Sequence, residues 1–136
     1  MSDHELRTEM EVRDYECDME GIVNNAVYMN YIEHARHAFL KSKGFEFASI
    51  IGNGIHLVVI RIETDYLFPL RSGDRFYVET TAKRISKMRF GFQQNIFRLP
   101  DDKPIIKAKV IGTSLDAQGR PKYYEAVETL FVKALS

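Results

Sequence analysis

A chain of 136 residues is long enough for one real hydrophobic core but not for two, so a single domain over 1–136 is expected. Nineteen basic side chains balance nineteen acidic ones, which argues against a general nucleic-acid binder, whose affinity rests on neutralising phosphates. The lone cysteine, Cys17, excludes an intramolecular disulfide and a multi-cysteine metal site.

The chain opens on Met-Ser-Asp-His-Glu, which has no signal-peptide character. No apolar run approaches the ~20 residues of a membrane span, so a cytoplasmic enzyme or binding domain is expected. Leu6, Thr8, Met10 and Val12 alternate with Arg7, Glu9, Glu11 and Arg13, the pattern of a half-buried strand. A loop over 14–23 follows. It holds Asp18 and, three residues on, Gly21, whose backbone freedom suits a tight turn. Asn24 or Asn25 is suited to cap a helix, because a short amide accepts from orphan N–H groups. Val27, Tyr31, Ile32, Ala35, Ala38 and Phe39 then recur at helical spacing, and Asn30, Glu33, His34, His37 and Lys41 form one narrow polar stripe. The helix should fade near Lys43 and Gly44, with one more short helical turn over 45–51.

The remainder has the pattern of strands. Ile55–Phe68 ends at Pro69, which cannot donate to a ladder. Phe76, Val78, Thr80 and Ala82 mark the next strand, Phe90, Phe92, Gln94 and Ile96 another, and Ile106, Ala108, Val110 and Gly112 a fourth. Tyr123–Val132 is expected to close the chain as a last strand. Short turns imply antiparallel neighbours, and one long helix facing such a sheet gives an α+β layer architecture. The Ile55–Phe68 strand is Val- and Ile-rich and is expected at a sheet edge, where an unprotected strand invites pairing with another chain. A proline at Ile60 is expected to remove a ladder donor from it.

Asp18 has two readings. An aspartate in a turn ordinarily serves the turn itself; held beside the positive end of a buried helix, it also suits chemistry in which negative charge develops on an oxygen. Glu33 with Arg36 or His37 has the look of an acid–base pair, but at helical spacing on a polar stripe a surface or interface ion pair is expected. Cys17 has no serine or histidine partner at a recognisable spacing and is expected to be packing. His4, His34, His37 and His56 make no metal-ligand pattern, so no metal is expected. Lys83, Arg84, Lys87 and Arg89 cluster at one strand turn, either as a solvated turn or as a dock for phosphates.

The string Asp18-x-x-Gly21-Ile22-Val23-Asn24-Asn25-x-x-Tyr28, followed by Tyr31-Ile32-Glu33-x-Ala35-Arg36, resembles the signature of the hotdog-fold acyl-CoA thioesterases. The branch it resembles most is that of 4-hydroxybenzoyl-CoA thioesterase. Asp65–Leu70 with Gly73-Asp74, and Asp116–Pro121, resemble two further family segments, so the likeness runs from about Glu9 to Val132. The resemblance implies a hotdog fold: a long central helix wrapped by an antiparallel sheet of five to six strands. It implies hydrolysis of an acyl-CoA or acyl-carrier-protein thioester with Asp18 as nucleophile or general base, and the backbone N–H of Asn25 polarising the carbonyl. Gly21, Val23, Asn24, Tyr28, Val58 and Val59 are the implied substrate contacts, and Arg84, Lys87 and Arg89 the implied contacts to coenzyme A phosphate. No cofactor is implied, because coenzyme A belongs to the substrate. The family also implies a homodimer through the Ile55–Phe68 strands, a tetramer of paired dimers beyond it, and an acyl pocket shared between chains. Partners from nucleic acid or membrane are not expected.

Some bacterial relatives carry a histidine where Asn24 and Asn25 stand, so their substrate preference does not transfer. Plant-type acyl-carrier-protein thioesterases carry a similar Val-Asn-Asn string, which leaves a carrier-protein substrate open. The rival readings are a non-enzymatic acyl-thioester binding module on the same fold and a hotdog hydratase. The hydratase relies on a histidine with no evident counterpart here.

Overall fold

The computed structural model of the chain describes residues 5–131. Its elements are strand β1 (Glu5–Glu11), helix α1 (Asn25–Ser42), a short helix α2 (Phe47–Gly52), and strands β2 (His56–Tyr66), β3 (Arg75–Arg84), β4 (Arg89–Leu99) and β5 (Lys103–Leu115). A single 3-10 turn lies at Asp14–Glu16 and a longer 3-10 helix at Glu125–Phe131. The strands form one antiparallel sheet in the order β1-β3-β4-β5-β2. The order leaves β1 and β2 as its two edges.

Period-two alternation puts Leu6, Thr8 and Met10 opposite Thr80, Val78 and Phe76, and that inner face carries on through Phe92, Ile96, Ala108 and Val110. Helix α1 lays Tyr28, Tyr31, Ile32, Ala35 and Phe39 against it, all buried. The Tyr31 ring lies 4.7 Å from that of Phe76, and Phe39 meets Phe92 edge-on at 5.9 Å. The outer face is polar: Glu63 lies opposite Lys109 and Asp65 opposite Lys107.

Three expectations need correction. The closing strand over Tyr123–Val132 is absent among the described residues. Glu125–Phe131 is a 3-10 helix instead, and Val132, like His4, lies outside the described residues. Tyr124 and Val127 turn inward one 3-10 turn apart, and the N–H of Val127 donates to Tyr124 O at 3.1 Å. The segment packs on β3, where Arg84 pairs with Glu128 and lies 4.9 Å above the Phe131 ring. Second, Ile60 is an extra residue between Val59, opposite Gly112, and Arg61, opposite Ile111. It sits in a β-bulge with no partner of its own on β5, so a proline there removes less of the ladder than the alternation implied. Third, Arg36 leaves the polar stripe of α1 and is buried, at 9% exposure.

Candidate active site

The loop from Glu16 to Asn24 is a closed local structure. Cys17 and Val23 form an isolated antiparallel bridge, the Asp18 N–H donates to Ile22 O at 2.9 Å, and the Gly21 N–H donates to Asp18 O at 3.0 Å. Gly21 has φ of +79°, which a side chain would strain. Asp18 is exposed at the tip, and its Oδ1 accepts from the Glu20 N–H at 2.8 Å. The turn-forming role of Asp18 is therefore present. It occupies one carboxylate oxygen, and the aspartate remains open to solvent. Arg71 runs alongside, paired as a bridge to Ile22, with its Nη1 close above Gly21.

Asn24 is the N-cap of α1: it has extended backbone, and its side-chain oxygen accepts from the Ala26 N–H at 3.0 Å. Asn25 is the first helical residue, where N–H groups have no partner within the helix and the macrodipole is positive. No acidic residue lies in this first turn to occupy that end.

Glu16 holds the loop to the helix. Its carboxylate is buried and accepts from the Arg13 N–H and the Tyr31 hydroxyl, each at 2.8 Å, while its carbonyl accepts from the Asn24 N–H at 3.0 Å. The side chain is thus tied to the second turn of α1 and the main chain to its cap, with Asp18 two residues away. Burial, and next the bond to Glu16, push the Tyr31 hydroxyl far above the ordinary tyrosine range. A raised folded-state pKa favours the native state below the unfolded value of ~10, and that contribution is lost as pH rises above it. Urea unfolding should therefore show stability falling above about pH 10, with Tyr31 contributing up to ~1.4 kcal/mol per pH unit. Tyr31→Phe should lose that component and, at neutral pH, cost about 1–3 kcal/mol, because Glu16 loses a buried donor. An unchanged alkaline limb in the variant would show that Tyr31 does not carry it.

Asp18, Gly21 and Asn24 belong to the loop and the cap and line none of the cavities below; the other implied site residues fall into three groups. Val23, Asn25 and Tyr28 line a shallow cavity of about 220 Å³ at the helix start, walled by Tyr66, Leu67 and Phe68. Tyr28 is buried there, and its hydroxyl accepts from the Leu70 N–H at 2.9 Å. Val58 and Val59 line a different cavity of about 270 Å³ beside the far half of α1. Its Arg36 side lies about 16 Å along the helix from Asn25 at 1.5 Å rise per residue. The third group is the β3–β4 hairpin. Arg84 is spent within the chain, donating to Ser86 O at 3.2 Å and Lys87 O at 2.9 Å and pairing with Glu128. Lys87 and Arg89 instead line an open cleft of about 600 Å³ with Thr113, Pro121 and Val58, which this cleft shares with the cavity beside α1. Among the described residues, no three His, Cys, Asp or Glu side chains gather as a metal site needs. None of the helices there is long and apolar enough to cross a membrane.

A family model described as the thioesterase-like superfamily matches residues 12–132. The chain belongs to that superfamily. A chloroplastic acyl-acyl carrier protein thioesterase of Arabidopsis thaliana is 45% identical over 118 residues, which is 87% of this chain and 62% of the relative. The chain thus spans about three fifths of that relative's length. A putative esterase of Aquifex aeolicus is 34% identical over 97 residues, covering 71% of this chain and 74% of its own. In fold, the chain matches a 1,4-dihydroxy-2-naphthoyl-CoA thioesterase from Synechocystis with a TM-score of 0.87 at 18% identity, over 93% of this chain and 96% of that one. At that identity the likeness shows the fold alone, and the fold is the hotdog arrangement.

Three residues tie the loop down through contacts that are distant in sequence. Glu16 and Tyr31 are 15 positions apart, and Arg71 reaches the turn from a separate segment. The spacing of Asp18, Gly21 and Asn24, by contrast, is local and was readable.

Proposed function

We propose that the chain hydrolyses acyl thioesters, with Asp18 carrying the chemistry and the N–H of Asn25, the first of α1, polarising the thioester carbonyl. The observation that carries this is the clamped loop: an exposed carboxylate two residues from Glu16, whose carbonyl accepts from the Asn24 N–H at the start of a helix with no acidic residue in its first turn. Asp18 either attacks the carbonyl carbon, expelling thiolate and leaving a mixed anhydride for water to cleave, or takes a proton from the attacking water. In both routes the thiol leaves with a proton and the acid is released. The oxyanion formed on attack faces N–H dipoles that need no reorganisation.

Coenzyme A and a carrier protein are both candidate thiols, and the 45% identical plant relative, named for a carrier-protein substrate, supports keeping the second. For coenzyme A, Lys87 and Arg89 in the open cleft are the cations proposed to meet phosphate, since Arg84 is already engaged. No cofactor is required. The site is proposed to be completed by a second copy. Within one chain Val58 and Val59 lie far along the helix from Asn25, and pairing of two β2 edges would bring one chain's Asn24 and Asn25 to the other's Val58 and Val59.

Purified protein incubated with a panel of acyl-CoAs and acyl-carrier-protein thioesters, with free thiol detected, tests the proposal. Thiol release is expected. Saturable binding with no release would leave a binding module, and a change in acyl unsaturation would indicate a hydratase.

A further inference from the structure

The cavity beside the far half of α1 has an apolar wall and one buried cation. Leu40, Leu57, Phe90 and Phe92 supply the wall, with Val58 and Val59 at the edge strand. The wall is shaped by Gly112, where a Cβ would meet the Phe90 ring at 2.6 Å. Arg36, 9% exposed, also lines this cavity.

The guanidinium is held by a polar array inside the core. Gln94 is fully buried, its Oε1 accepts from Arg36 Nη1 at 3.1 Å, and its Nε2 donates to Ile32 O at 2.9 Å and Thr80 Oγ1 at 3.1 Å. All of Gln94's bonding thus serves to fix helix, sheet and guanidinium together. Arg36 itself has five N–H donors, and this is the one hydrogen bond it makes among the described residues. The remaining donors are not sealed in the core: among the described residues, the fully buried polar side-chain atoms without partners are Thr8 Oγ1 and Thr64 Oγ1. Burial holds the Arg36 pKa below its ordinary value, and the nearby charge of Glu33 acts in the opposite direction. Taking a cation out of water is costly unless its donors are met, so a cavity with this floor favours an occupant that brings an acceptor. Glu33, one turn before Arg36, lines the same cavity together with His37, so a carboxylate brought in by an occupant would meet a like charge there, and the favoured acceptor is neutral.

We propose that Arg36 is a specificity residue, and that the cavity takes acyl groups whose far end bears a neutral oxygen, a hydroxyl or oxo group, in preference to plain alkyl groups of the same length. This rests on the thioesterase reading, because it identifies the acyl group of that reaction. An entirely apolar cavity makes the opposite choice, since burying an unpartnered hydroxyl is unfavourable.

The test is calorimetric binding of matched alkyl, ω-hydroxy and ω-carboxy acyl-CoAs, across medium chain lengths, to the Asp18→Asn protein and to Asp18→Asn/Arg36→Met. Wild-type hydrolysis is followed separately. At one or more lengths the ω-hydroxy ligand should bind on the order of tenfold tighter than the alkyl one, and Arg36→Met should reverse the order. Equal or weaker binding of the ω-hydroxy ligand at every length overturns the inference without any Arg36 variant, so a variant that fails to fold does not leave it open. Tightest binding of the ω-carboxy ligand overturns the choice of a neutral oxygen. If Arg36→Met folds and weakens all ligands equally, Arg36 is a strut between helix and sheet and the inference fails. It fails likewise if the variant only dissociates subunits. Preferential binding without any wild-type hydrolysis would sink the thioesterase reading and leave the cavity's preference standing.

Discussion

Asp18→Asn should lower kcat by roughly 10²- to 10⁴-fold, the range expected when a positioned acid–base group is removed, and leave the thermal midpoint of unfolding nearly unchanged. The structure separates these two outcomes. The structural duty of the Asp18 side chain is one bond, its Oδ1 accepting from the Glu20 N–H at 2.8 Å, and an asparagine oxygen can accept the same bond. The other bonds of the loop, Asp18 N–H to Ile22 O and Gly21 N–H to Asp18 O, are main chain and survive the change. What disappears is the negative charge and basicity, needed by both the nucleophilic and the general-base route. KM should move little, because the carbonyl donors at Asn25 are untouched. Steady-state kinetics with an acyl-CoA that wild type cleaves, beside a melting curve, make the comparison. Wild-type turnover in the variant would remove Asp18 from the chemistry, and a large fall in melting temperature would mean that its main role is to form the turn.

The features that could be read from sequence were those decided within a few residues. Leu6, Thr8, Met10 and Val12 face the core because a strand alternates, whatever lies opposite. Asn24 caps α1 because its amide reaches Ala26 two positions on, and the helix ends where Gly44 adopts φ of +85°. The edge position of β2 also followed from its composition. The features that could not be read depend on partners distant in sequence. Arg36 at helical spacing from Glu33 has the pattern of a surface ion pair, but it turns inward because Gln94, 58 positions away, offers an acceptor inside the core. The exposed partner of Glu33 is instead His37, at 3.9 Å. Arg84 looked available for phosphate until the 3-10 helix Glu125–Phe131 brought Glu128 to it. That helix was itself misread as a strand, because Tyr123, Val127 and Phe131 among charged residues fit either period over so short a run. The bulge at Ile60 leaves no mark in composition at all.

The second large effect is expected at the β2 edge: Ile62→Arg should convert a dimer into folded, inactive monomers. The two edges of the sheet differ sharply. Strand β1 has 7 residues, four of them charged, Glu5, Arg7, Glu9 and Glu11, and such an edge resists pairing. Strand β2 has 11 residues, and Val59, Ile60, Ile62 and Tyr66 are 40–50% exposed along it, with Leu67 and Phe68 exposed just beyond. Its charges are Arg61, Glu63 and Asp65, and the first two pair with each other. These two fall on the outer, polar face, opposite Ile111 and Lys109. Strand β2 is the edge that gains by adding a partner, and a two-fold axis would let β2 meet β2 in one continuous sheet. In such a dimer an arginine at position 62 is buried twice, once per subunit. At about 3–5 kcal/mol for each uncompensated buried charge, the dissociation constant should rise by 10⁴-fold or more. Each monomer should keep its fold, because Ile62 is 40% exposed within one chain and adds little to the core. Activity should vanish with the dimer, because the proposed site joins Asn25 of one chain to Val58 of the other. Sedimentation equilibrium and thiol release, measured on the same samples over a range of concentration, would show both losses together. Wild type that is monomeric at micromolar concentration and fully active would remove the dimer and the shared site at once.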